Sequence, residues 1–409
     1  MRNRLFFCFI LLISVSFFAK AQDKKEIRKA VKQHNRAVYL KDGWIRDPYI
    51  YLCEDGFYYL TGTTPTYGDT REAGDPYNLG LDHVSRKMGL KPSIVGYQIR
   101  VWRSPDLAEW EYLGEPFSLE KGYWAQQFPD AFQNKSKKNW LLWAPEMYRV
   151  DGKWVFVHTS PEPVGNGANL IIADHADKND SFAFPMGDDM RDKHDPSLFR
   201  DDDGTWYLTW SNTEIAPLKP DFQGLAAKPV HIDPSDRSIG HEGATIRKIG
   251  KKYVLFGTAW STDDSRKGSY NLYYCTADRI TGPYSERRFA GRFLGHGTPF
   301  QDKKGQWWCT AFFNGNIAPV SKLGIQNRDL SETAQTINEQ GTTIVPLEVK
   351  TGMFISALLT LHMLCPDRMK HRGFSRNPLV LMPYSADAKD GMFCCKRCHL
   401  LQRKMPSFA

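Results

Sequence analysis

One motif occurs five times in this chain, and that repetition restricts the possible folds more than any other feature of its 409 residues. The copies read DPYIYLCEDGFYYLTGT from Asp47, WAPEMYRVDGKWVFVHTS from Trp143, DPSLFRDDDGTWYLTWS from Asp195, EGATIRKIGKKYVLFGT from Glu242 and HGTPFQDKKGQWWCTAF from His296. Each has a short strand, a polar turn ending in glycine, and a second strand of aromatic and β-branched residues, which is the pattern of a β-hairpin. The turn glycines are Gly56, Gly152, Gly204, Gly250 and Gly305. After the first gap, copies begin about 50 residues apart, a length that suits one four-stranded blade. The expected fold is all-β, a five-bladed β-propeller over residues 44–347.

The first gap, from Asp47 to Trp143, is about twice as long and holds an insertion over residues 63–96, rich in Gly, Pro and charge. The stretch GYQIRVWRSPDLAEWEYLG then supplies outer strands of the first blade, and NLYYCTADRITGPY has the same pattern after the fourth copy. Helical periodicity is strong only over residues 24–38, within a lead-in segment, 22–43. Asp47, Trp143, Asp195 and His296 lie nine positions before their turn glycines, and Glu242 lies eight before. This counting places all five at one equivalent point, the opening of the innermost strand. They are therefore expected to converge at one end of the central channel.

Three acids gathered there have a specific chemical use. Hydrolysis of a glycosidic bond needs one protonated carboxyl to donate to the leaving oxygen and one ionised carboxylate, and a third acid can act electrostatically. Trp143 would form a wall for a sugar face or pack in the core. Glu146 would bond sugar hydroxyls or pair with a neighbour. His296 would touch substrate or help hold a cation, and His194 and His241 would support the adjacent acids. Asp201, Asp202 and Asp203 read as a solvated turn.

These segments resemble the signatures of glycoside hydrolase family 43: WIRDPYIYLCEDGFYYLTGT around Asp47, HDPSLFRDDDGTWYLTW around Asp195 and HEGATIRKIGKKYVLFGTAW around Glu242, in the family's order. WAPEM at Trp143 and GHGTPF around His296 are similar to two further family segments, and the likeness covers about residues 40–345. One departure is EGATI, where many members have proline after the glycine. The resemblance implies Asp47 as general base, Glu242 as general acid and Asp195 as the residue that tunes the pKa of Glu242, with inversion at the anomeric carbon. It also implies an oligo- or polysaccharide substrate carrying pentosides or furanosides: α-L-arabinofuranosides, β-xylosides or β-galactofuranosides. No cofactor is required on this reading, although some relatives carry calcium in the central channel. Two alternatives remain at this stage. One is a retaining fructan hydrolase, which would carry an Asn-Asp-Pro segment where this chain has Arg46-Asp47-Pro48. The other is a sugar-binding propeller without turnover.

Composition bounds the rest. Arg2 and Arg4, the apolar run from Leu5 to Phe18 and Ala19-Lys20-Ala21 have the layout of a signal peptide over residues 1–21, implying a secreted or periplasmic protein with no membrane span after cleavage. The formal charge of +8 belongs to the two ends: without the leader and the stretch after residue 350, the body is near −1, which argues against nucleic acid. Cys53, Cys275 and Cys309 sit in apolar runs and read as small hydrophobes, not as a disulfide frame. Residues 348–409 are anomalous: all 12 Trp precede residue 309, whereas six of the 11 Met and four of the eight Cys follow residue 350. A shifted reading frame is one explanation of this tail. Its Cys395-Lys-Arg-Cys398 lacks the second pair that a zinc site needs.

Overall fold

The computed structural model describes residues 23–70, 72, 94–260, 270–291, 294–313, 339–350 and 354–357. The proposed leader and nearly all of the anomalous tail lie outside these residues. Among the described residues no helix is long and apolar enough to cross a membrane.

Five antiparallel sheets form a ring, a five-bladed β-propeller. Blade I contains β2 (Arg46–Leu52), β3 (Tyr58–Thr63), β4 (Gln98–Ser104) and β5 (Glu111–Ser118). Blade II contains β6 (Leu141–Val150), β7 (Lys153–Glu162), β8 (Gly167–Ala173) and β9 (Phe182–Ala183). Blade III contains β10 (Ser197–Arg200), β11 (Trp206–Trp210), β12 (Glu214–Pro217) and β13 (Val230–His231). Blade IV contains β14 (Glu242–Ile249), β15 (Lys252–Trp260), β16 (Tyr270–Ala277) and β17 (Arg288–Gly291). In each of these four blades the order in the sheet is the order in sequence, because each hairpin folds back on the strand before it.

Blade V is built differently. β18 (Pro299–Gln301), β19 (Trp307–Phe313) and β20 (Glu339–Lys350) pair in sequence order, and the fourth strand is β1 (Val38–Lys41). Val38 faces Ile344 and Tyr39 faces Thr343. The lead-in segment thus contains a strand of the last blade, which fastens the two ends of the propeller together. A further short strand, β21 (Phe354–Ala357), continues along β20. Before β1, helix α1 (Lys24–Gln33) is capped by the Asp23 side chain and buries Ile27 and Ala30 against Trp308 and Trp102.

Apolar residues fill the wedges between blades. Tyr59, Phe156 and Leu208 lie in one cluster spanning blades I to III, Ile246 and Leu255 in the next, and Phe256, Leu272 and Val345 between blades IV and V. Fully burying one such side chain stabilises the fold by about 1.5–3 kcal/mol. Cys53, Cys275 and Cys309 are free thiols buried in these layers. The axis itself is polar. Burial raises the pKa of Glu146 in blade II, and the charge of Arg247 in blade IV pulls against that rise.

Hairpin loop length corrects the sequence register. Blades I, III and V turn through five residues between their first two strands, whereas blades II and IV turn through only two, Asp151-Gly152 and Gly250-Lys251. Counting from the turn glycine therefore misaligns them. The strand pairing matches Arg46 to Thr63, Trp143 to Thr159 and Glu242 to Thr258. Trp143 and Glu242 are thus equivalent to Arg46, one residue before the Asp47 position. Left-handed backbone marks the true equivalents: Asp47, Ala144, Asp195, Gly243 and His296 have φ of 48°, 45°, 45°, 66° and 56°.

Candidate active site

A left-handed residue with a side chain costs roughly 1 kcal/mol, so these openings need local support. Threonines at the end of the second strand supply it. Thr63 Oγ1 accepts from the Ala144 N–H of the next blade at 2.7 Å and donates to Asp47 Oδ2 at 2.6 Å. Thr159 Oγ1 accepts from the Asp195 N–H at 2.7 Å and lies 3.3 Å from Asp195 Oδ1. Thr258 Oγ1 accepts from the His296 N–H at 2.7 Å. Each hydroxyl ties one blade to the opening residue of the next. The signal was visible in sequence, since three of the five copies carry threonine at this point.

The result is a cavity of about 550 Å³, open mouth included. Asp47, Asp195, Glu242, Trp143 and His296 all line it. Arg46, His194, Val95 and Trp260 complete much of the wall. Glu146 is not among the lining residues; it accepts a hydrogen bond from Tyr148 in the channel interior. Trp143 is half-buried and packs against Trp44 and Leu141 while facing the cavity, so it serves core and wall together. His241 is exposed, and its backbone N–H donates to Thr258.

His296 is the hub. Its Nδ1 lies 3.4 Å from Asp47 Oδ1 and 4.0 Å from Glu242 Oε1, and its Nε2 lies 3.8 Å from Asp195 Oδ2. Burial pushes the imidazole pKa down, but the three carboxylates outweigh it and the pKa is raised. Asp195 also faces His194 Nε2 at 3.4 Å and accepts from the Gly243 N–H at 3.2 Å, which ties it to the backbone beside Glu242. Gly243 is needed there twice over. Its φ is left-handed, and a Cβ would come within 2.9 Å of the His296 ring.

Electrostatics at Glu242 differ from the expectation that a neighbouring Asp195 would raise its pKa. Burial pushes it up, but His296, the Tyr270 hydroxyl, His194 and Arg46 pull it down, and the net direction is below the ordinary glutamate value. Cationic neighbours and a hydrogen bond to the charged form favour the carboxylate. Sequence reasoning missed Arg46, Trp260 and Tyr270. Arg46 was hidden beside its acidic neighbour, and the other two lie on the second and third strands of blade IV, where the motif carries no marker of function.

The fold and site define a five-bladed propeller with a carboxylate-lined well around its axis. The glycosyl hydrolases family 43 profile matches residues 40–328, and the chain belongs to that family. It is 28% identical over 177 residues to the probable arabinan endo-1,5-alpha-L-arabinosidase A of Emericella nidulans, spanning 38% of this chain and 55% of that protein. Among solved structures, it resembles an exo-1,5-alpha-L-arabinanase from a bovine ruminal metagenomic library (TM-score 0.52, 16% identity, 78% of this chain and 98% of that one). It also resembles an endo-1,4-beta-xylanase from Bacteroides thetaiotaomicron (TM-score 0.50, 19% identity, 78% and 96%).

Proposed function

We propose that this chain is a secreted hydrolase that cleaves pentoside or furanoside linkages of a plant or microbial polysaccharide with inversion. Asp47 acts as general base on water and Glu242 as general acid, while Asp195 holds the backbone and charge around Glu242. The observation that carries the reading is the convergence of three acids, from blades I, III and IV, on one cavity around His296. The names of its arabinan- and xylan-directed relatives favour arabinofuranosides and β-xylosides over β-galactofuranosides.

The shared neighbour His296, 3.4 Å from an oxygen of Asp47 and 4.0 Å from one of Glu242, caps the separation of those oxygens at the sum of the two distances. That cap admits the lower part of the roughly 6.5–9.5 Å spacing that inversion uses to seat a water, and also the roughly 5–5.5 Å spacing of retaining enzymes, which the anomer test below separates. Glu242 is 37% accessible from the well. A sugar that displaces solvent from around Glu242 deepens the desolvation already pushing its pKa upward, so proton uptake accompanies binding. The proton then passes to the leaving oxygen as water, deprotonated by Asp47, attacks the opposite face of the sugar.

Turnover is proposed to need no metal. Calcium takes six to eight oxygen ligands. Here the tightest donor group is His194, Asp195 and Glu242, one imidazole and two carboxylates. Arg46 and His296 already supply positive charge to those acids.

The test is hydrolysis of aryl α-L-arabinofuranoside, β-xyloside and β-galactofuranoside, with NMR of the first anomer released. Asp47→Asn and Glu242→Gln should each lower kcat about 100-fold or more on the preferred substrate. Full activity in either variant, or sugar binding without hydrolysis by the wild-type protein, would overturn the reading.

A further inference from the structure

The third strand of blade IV meets the lining residue Glu242 from behind the wall of the well. The Tyr270 hydroxyl donates a hydrogen bond to Glu242 Oε1. Tyr270 is 4% exposed, and its ring packs on the cavity-lining Trp260 with centroids 4.2 Å apart and planes 31° apart. Its other neighbour is Gly295, where a Cβ would lie 2.0 Å from the Tyr270 Cδ1. The phenol is therefore seated between an indole and a glycine that leaves room for it, with its one polar atom aimed at one carboxylate oxygen. Nothing in the repeated motif requires this arrangement.

Resting on the reading of Glu242 as the acid, we propose that Tyr270 is its positioning residue, fixing which carboxyl oxygen carries the proton. Tyr270 donates to Oε1 and His296 Nδ1 lies 4.0 Å from that same oxygen, while one atom each of His194 and Asp195 lies within 4.8 Å of the carboxylate. A carboxylic acid protonated on Oε2 keeps Oε1 as an acceptor, so the tyrosine bond survives protonation. Oε2–H is then the bond that breaks as the leaving oxygen takes the proton, while Oε1 stays anchored. The same bond stabilises the carboxylate once the proton has left. Tyr270 touches neither the sugar nor the water; it acts through Glu242.

The experiment combines a titration and a leaving-group comparison. Carbon-13 carboxyl NMR of the full-length protein, with the Glu242 resonance assigned through Glu242→Gln, is followed against pH in wild type and Tyr270→Phe. The phenylalanine keeps the ring between Trp260 and Gly295 and removes only the hydroxyl. The Glu242 midpoint should rise by roughly one pH unit. A second variant, Gly295→Ala, pushes a methyl into the tyrosine ring and should move the midpoint in the same direction with the hydroxyl still present. In kinetics, Tyr270→Phe should lose about tenfold or more in kcat on an oligosaccharide, whose leaving group needs a proton, with little change in KM. It should lose far less on an aryl glycoside whose phenol leaves unprotonated. An unmoved Glu242 midpoint overturns the proposal, as does an equal loss on both substrates, which is the signature of a purely structural role. If Glu242→Gln hydrolysed as fast as wild type, the acid assignment would fail, while the titration would still report whether Tyr270 governs that carboxyl.

Discussion

Nδ1 of His296 lies 3.4 Å from Oδ1 of Asp47, so the last blade meets the first at the floor of the well through an ion pair. The pair is one side of a wider arrangement, because the same imidazole also faces Asp195 and Glu242. A single imidazole shared by three acids, whose charges raise its pKa, makes His296 the residue through which those charges communicate.

His296→Gln is expected to move the alkaline limb of kcat/KM upward. The histidine charge is the foremost influence lowering the Glu242 pKa. Without it the acid keeps its proton to higher pH. Stability changes too. The folded-state pKa of His296 is raised, so its contribution is fully present below the unfolded value of about 6.5 and is lost as pH rises through the folded value. A pH series of rates and of urea midpoints for wild type and variant checks both.

His158 predicts an acid-sensitive core. It is fully buried beside Phe117, with Nδ1 3.1 Å from the Thr159 carbonyl oxygen and Nε2 3.1 Å from Asn169 Nδ2. Those partners suit a neutral ring, and burial lowers its pKa to about 4. Here the unfolded state takes up the proton first. Stability is therefore intact above pH ~6.5 and falls by roughly 3 kcal/mol as pH drops to ~4. His158→Gln should flatten that decline in denaturant titrations; an unchanged slope would contradict the assignment.

Removing one interblade hydroxyl should cost measurable stability. Thr159→Val leaves the buried Asp195 N–H without its acceptor, which costs about 1–3 kcal/mol. Thr159→Ser keeps the oxygen and should recover most of it. Guanidinium unfolding of the two variants separates the hydroxyl from the methyl.

Gly243→Ala combines backbone strain with a collision. The left-handed φ costs roughly 1–2 kcal/mol for alanine, and the new methyl must displace the His296 ring. Hydrolysis should fall more steeply than thermal stability. A variant with wild-type kcat would show that the imidazole position is unimportant.

Much of this was legible in the chain because a propeller writes its geometry as repetition. The five hairpins exposed the blades, and Asp47, Asp195, Glu242 and His296 stood out by their place in the motif. Register was less accessible. A two-residue turn in blades II and IV, against a five-residue loop elsewhere, shifts the count by one position in blade II and two in blade IV, and strand pairing shows that Glu242 matches Arg46 while Gly243 matches Asp47. Tyr270 was illegible for a different reason. Its hydroxyl meets Glu242 through the curvature of blade IV, 28 residues away, and no local pattern records that meeting.

The fastening of β1 onto β20 also has a temporal consequence. Val38 finds its partner, Ile344, only after nearly all of the intervening polypeptide has been synthesised. Blades II to IV can form from local hairpins as they emerge, but the circle stays open until two distant segments meet, a slow step set by loop closure. A nascent chain therefore has its acids long before it has the enclosure that organises them, and hydrolytic competence should arrive late and all at once.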